Sequence, residues 1–139
     1  MKFTDLARKI EPAGGLHATD WAQHPNGGGW VEKTSFVAPT AFVGPEAIVM
    51  EKAQVLGSSR IEGNATVGGN AFVEDSTISG SARVTEMARI LGRSTVRGKA
   101  SVRGYAVILG KTVDAGELAP IGNKDWALWR KSTNSSAQR

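Results

Sequence analysis

The sequence predicts an all-β chain built from short strands laid down at a fixed interval, and two columns of residues predict it. The first column is aliphatic: Val31, Val37, Val43, Val49, Val55, Ile61, Val67 and Val73 follow one another at six-residue steps. A five-residue step leads to Ile78, and the six-residue spacing resumes through Val84, Ile90, Val96, Val102 and Ile108. The second column lies two residues before each of these and holds only Gly, Ser or Ala, from Gly29, Ser35 and Ala41 to Ala100 and Ala106. Chance does not hold both columns over the whole run. A helix scatters residues six apart around its surface, so the repeat is not helical. In a strand, residues i and i−2 share a face. Each unit is therefore a short strand with one branched and one small side chain pointing inward, the small one where the chain turns a corner.

The corners carry their own signal. Gly57, Gly63, Gly69, Gly80, Gly92, Gly98, Gly104 and Gly110 each follow an aliphatic position by two residues. They supply a backbone free to take positive φ at a tight turn. Asn64 and Asn70 are expected to share that conformation, since Asn tolerates it better than most residues. The five-residue step, in "VEDSTI", is read as one shortened corner with Glu74 and Asp75 as surface turn residues, leaving the flanking columns in register.

Over Gly28 to Thr112 these columns resemble the hexapeptide-repeat family. That resemblance implies a single-stranded, left-handed parallel β-helix with three units per triangular coil, and thus just under five coils. At about 4.8 Å per stacked strand the body is roughly 20–25 Å tall. "GGGWV", Gly27 to Val31, also looks like the start of small bacterial and phage-associated β-helix proteins. Three units per coil stack Val31, Val49, Val67, Val84 and Val102 on one face. Val37, Val55, Val73, Ile90 and Ile108 stack on a second, and Val43, Ile61, Ile78 and Val96 on a third. Stacked columns of like side chains are what stabilise such solenoids.

The ends are read as caps, because an open coil end is a sheet edge that invites stacking. Residues 1–28 form an N-terminal segment and cap, opening with a short helix in "FTDLARKI", which Glu11 to Gly15 breaks. "HPNGGG", His24 to Gly29, is a turn-rich approach to the repeat, which spans 29–113. Residues 114–131 hold a C-terminal capping helix in "NKDWALWRK", with Asn123 as N-cap. Trp126, Trp129 and Arg130 fall on one side of it. The polar residues 132–139 are expected to be disordered.

Composition narrows the function. The 139-residue chain has no cysteine, which excludes disulfides, thiolate zinc sites and a cysteine nucleophile. No apolar run is long enough to span a membrane, and "MKFTDLARKI" lacks a signal-peptide core. These features fit a cytoplasmic protein, or a virion component if the chain is phage-derived. Outward positions of the second face carry Phe36, Phe72 and Val107 on one side and Leu56, Leu91 and Leu109 on the other. So much exposed apolar surface predicts either the Trp126–Trp129 helix folded over it or a subunit interface. The family resemblance implies a homotrimer.

Charge is uneven along the axis. From Val31 to Glu74 three basic and five acidic residues give −2, while from Asp75 to Val113 seven basic and two acidic residues give +5. Arg83, Arg89, Arg93, Arg97, Lys99, Arg103 and Lys111 thus mark a basic end, a candidate site for a polyanion. Against nucleic acid, only Tyr105 interleaves with them as a stacking aromatic.

Chemistry finds little support. Family members that hold zinc with three histidines need residues this chain lacks, since His17 and His24 are its only histidines. Family acyltransferases use a histidine base and a long insertion, and no insertion interrupts the register here. His24 is a weak candidate for such a base at a subunit cleft, with a turn or capping role favoured. Thr66, Thr77 and Thr95 form no flat grid of the kind ice binding requires. No cofactor or metal is expected. The reading is a non-enzymatic structural or interaction module that self-associates or joins a larger assembly, such as a virion or surface structure. An acyltransferase-like trimer and a polyanion-binding module are the alternatives.

Overall fold

The computed structural model of the chain describes residues 2–10 and 16–114, and the backbone of a last strand at 117–118. Three sheets, parallel throughout except at β1, form the sides of a β-solenoid of about five turns. Strands are numbered along the chain. The first face stacks β1 (Trp21–Gln23), β2 (Trp30–Glu32), β5 (Ile48–Val49), β8 (Thr66–Val67), β11 (Arg83–Val84), β14 (Ser101–Val102) and β17 (Glu117–Leu118). The second stacks β3 (Phe36–Val37), β6 (Gln54–Leu56), β9 (Phe72–Glu74), β12 (Arg89–Leu91) and β15 (Val107–Leu109). The third stacks β4 (Phe42–Val43), β7 (Arg60–Ile61), β10 (Thr77–Ile78), β13 (Thr95–Val96) and β16 (Thr112–Val113).

The register is the one the aliphatic columns require. Val49 pairs with Val67 and Val67 with Val84; Val73 pairs with Ile90; Ile61 pairs with Ile78. These side chains are fully buried, as is the alanine column at the corners. Burying each Val or Ile contributes about 1.5–3 kcal/mol relative to exposure, so a closed file of them outweighs the short strands' poor intrinsic stability. Val31 and Val37, in the first coil, are only half-buried because nothing stacks fully above them.

Corners differ from expectation in two details. All eight repeat glycines have φ between 61° and 68°, the left-handed region as predicted. Asn64 and Asn70 do not share it. They follow the left-handed glycine, and their N–H groups bond Gly80 O at 2.7 Å and Glu86 O at 2.8 Å in the next coil. At three corners without glycine Glu51, Asp75 or Glu86 takes the positive φ instead, and Arg93 takes it directly after Gly92.

The five-residue step is not unique. Ile108 to Val113 repeats it, and both shortened steps join the second face to the third. The ladder also continues past Val113, where Glu117 and Leu118 pair with Ser101 and Val102.

The N-terminal helix forms where predicted, as α1 (Phe3–Ile10). Its apolar stripe of Phe3, Leu6 and Ile10 lies outside the first face, against Trp30, Ile48 and Met50. Leu6 and Ile48 are fully buried there, and the Phe3 and Trp30 rings meet edge-to-face with centroids 5.8 Å apart. β1 then adds antiparallel to β2, and the His24–Gly29 loop crosses the coil end. Gly29 N–H bonds Val43 O at 2.8 Å, and Val43 N–H bonds Asn26 O at 3.0 Å. Among the described residues that end is closed over the first and third faces and open over β3. The helix-breaking Glu11–Gly15 stretch, the Asn123–Lys131 helix with Trp126 and Trp129, and the polar tail lie outside the described residues.

Candidate functional site

The strongest surface feature is the second face. Strand alternation turns Val37, Val55, Val73, Ile90 and Ile108 inward, so their neighbours point out. Phe36, Leu56, Phe72, Leu91, Val107 and Leu109 come together on it, the grouping expected from sequence. Phe36 is 54% and Leu109 56% exposed, and the other four are partly exposed. Gln54, Glu74 and Arg89 interrupt the apolar rows, and the Arg89 guanidinium lies over the Phe72 ring, 5.2 Å from its centroid. Among the described residues nothing covers this face. The first face has the opposite fate, because α1 lies on it.

His24 is part of the cap. It is buried, and its Nε2 lies 2.8 Å from Ala41 O. A carbonyl only accepts, so Nε2 carries the proton and donates. Asn26 Nδ2 donates to the same oxygen at 3.0 Å. Burial of the ring and its bond to a cap carbonyl favour the capping role over the catalytic one. Beside it, Gln23, Pro25, Lys33, Phe36 and Val37 line a shallow groove of about 260 Å³ over the open edge of β3.

The basic residues do not form one patch. Arg83 projects from the first face and Arg89 from the second; Arg93 and Lys111 stand at one corner, Arg97 and Lys99 at another. Arg97 pairs with Asp114, and Arg103 lies 3.9 Å from Glu86. Hydrogen bonding to Asp114, then its charge, holds the Arg97 guanidinium above its ordinary pKa. The lower coils are thus encircled by positive charge rather than grooved by it.

Two further devices escaped the sequence reading. At the corner between the second and third faces, the small column is serine in the middle coils. Ser59, Ser76 and Ser94 are buried, and each hydroxyl donates to a carbonyl of its own turn. Each also accepts a backbone N–H from the next coil: Ser76 N–H at 3.3 Å, Ser94 N–H at 3.0 Å and Lys111 N–H at 3.1 Å. On the third face, Thr77, Thr95 and Thr112 stack in register. This is a ladder where the sequence suggested no array, although one threonine per strand still makes no grid. The serine clustering was visible in the sequence once the small column is sorted by corner.

No cluster of three or more metal-ligating side chains occurs among the described residues, and no described helix is long and apolar enough to cross a membrane. No family model matches the chain. No curated protein matches it either.

Proposed function

We propose that this chain is a non-enzymatic structural and interaction module that self-associates through the second face of its solenoid. One observation carries the reading: the face presents six large apolar side chains in aligned rows, with Phe36 and Leu109 more than half exposed. Single exposed apolar residues are ordinary on a protein surface, whereas contiguous rows of them on one face mark a contact surface. Membership of the hexapeptide-repeat family and the left-handed winding belong to the same proposal, and the family likeness implies three copies. A place in a larger assembly follows if such contacts extend beyond one oligomer.

Light scattering coupled to size exclusion, with sedimentation velocity across about a hundredfold range of concentration reaching about 1 mM, tests the reading. A mass that rises with concentration supports it, and a monomer throughout sinks it. Substituting Leu91→Glu should abolish any association, because a carboxylate is driven into an apolar contact. The acyltransferase-like alternative is weakened by the engaged His24 Nε2. The polyanion alternative is weakened by the dispersal of the arginines around all sides.

A further inference from the structure

We infer that the partner on the second face is a second copy of the chain running antiparallel, about a twofold axis that passes through β9. The inference rests on the proposed self-association and, for its geometry, replaces the three copies that the family likeness implies with a pair. Down the five stacked strands, the outward residue before each core aliphatic is Phe36, Gln54, Phe72, Arg89 and Val107. That order is apolar, polar, apolar, polar, apolar. The outward residue after each is Ala38, Leu56, Glu74, Leu91 and Leu109. Both rows read the same in character from either end, with β9 as the centre.

An isologous contact requires such a pattern, since residue i meets j and j meets i. An antiparallel twofold sets Phe36 against Val107, Leu56 against Leu91, and Phe72 against its own copy. Gln54 then faces Arg89. Parallel copies related by a twofold along the solenoid axis instead set Phe72 against Glu74 and Leu91 against Arg89. That buries charge on apolar side chains and is disfavoured.

Charge complementarity points the same way. The −2 half of the repeat ends at Glu74 and the +5 half begins at Asp75, so the sign changes at the row that holds the axis. Antiparallel copies lay the acidic half of one beside the basic half of the other, whereas parallel copies lay like on like. Two central Glu74 side chains meet at the axis. Arg93 of the other copy lies one strand row away and two residues further on, towards the corner. Arg93 is exposed at the corner after β12. The face measures about 20 Å by 10 Å from strand spacing and rise. That is below the roughly 800 Å² per partner of a standard interface, so the pair is weak and belongs at about 0.1–1 mM protein.

The absence of cysteine makes site-directed labelling clean. Lys33, Asn70 and Tyr105 are exposed at the corners leading into β3, β9 and β15. Each is replaced singly (Lys33→Cys, Asn70→Cys, Tyr105→Cys), spin-labelled, and the distance between copies read by pulsed electron resonance at about 1 mM. Antiparallel copies give the shortest distance at 70. They give equal, longer distances at 33 and 105, with an added axial separation of about 19 Å, four strand spacings. Three equal distances mean parallel copies, which overturns the orientation and leaves self-association standing. A monomeric mass at that concentration overturns both. Circular dichroism of each labelled variant confirms that the coil is intact.

Discussion

Ser76 shows how a residue-scale choice serves the coil. At the regular corners the small residue's N–H bonds a carbonyl three residues back, as Ala65 bonds Glu62 O at 3.2 Å and Ala71 bonds Gly68 O at 3.1 Å. At the irregular corner between the second and third faces this bond is missing for Ser76, Ser94 and Lys111, and the serine hydroxyl above supplies the acceptor. Alanine fills the same space without the oxygen. Ser76→Ala therefore strands the buried N–H of Ser94, at a cost of about 1–3 kcal/mol, the penalty for an unsatisfied buried donor. Chemical denaturation measures it, and a change within experimental error would remove the hydroxyl's structural role. Gly69 belongs to the same scale. Its φ is 64°, and a Cβ there would meet Glu86 N at 2.4 Å. No side-chain rearrangement relieves a clash with backbone.

At the scale of elements, α1 and the shortened corner make separate predictions. Leu6 sits fully buried against Ile48 on the outside of the first face. Leu6→Ala removes a core contact worth about 2–5 kcal/mol. The loss appears as release of α1 rather than global unfolding, since the solenoid core does not depend on the helix. A red shift in tryptophan emission, from Trp21 and Trp30 losing cover, reports it, while the coil's far-ultraviolet dichroism stays unchanged. For the corner, one glycine inserted between Asp75 and Ser76 recreates the six-residue step seen from Ile90 to Val96 and keeps Ser76 two residues before Ile78. It should change stability by about 1 kcal/mol or less. The same insertion between Thr77 and Ile78 breaks the i−2 relation, turns one inward side chain out, and costs several kcal/mol. Equal effects of the two insertions would refute the corner account.

Over the whole molecule, the axial separation of charge should govern association as much as the apolar face does. Raising ionic strength from about 0.05 M to 0.5 M shortens the screening length several-fold. An antiparallel pair with opposite halves apposed is then weakened several-fold in Kd. Association driven by the apolar rows alone stays constant or tightens. Sedimentation equilibrium at the two salt concentrations distinguishes them.

The sequence by itself determined the strands, their register and the buried columns. A β-branched residue every sixth position with a small residue two before it leaves one periodic way to bury both. Glycine at the corner fixed the backbone there, and the short helix in "FTDLARKI" was legible as α1. Only the tertiary structure decided which outward face α1 covers. Ile48 and Leu91 are both apolar neighbours of a core residue, yet α1 lies over the first and nothing described lies over the second. That difference depends on where a segment remote in sequence comes to rest, which no local pattern encodes. His24 followed the same rule. Its turn was legible in "HPNGGG", but the carbonyl that occupies its Nε2 belongs to Ala41, brought there by the coil.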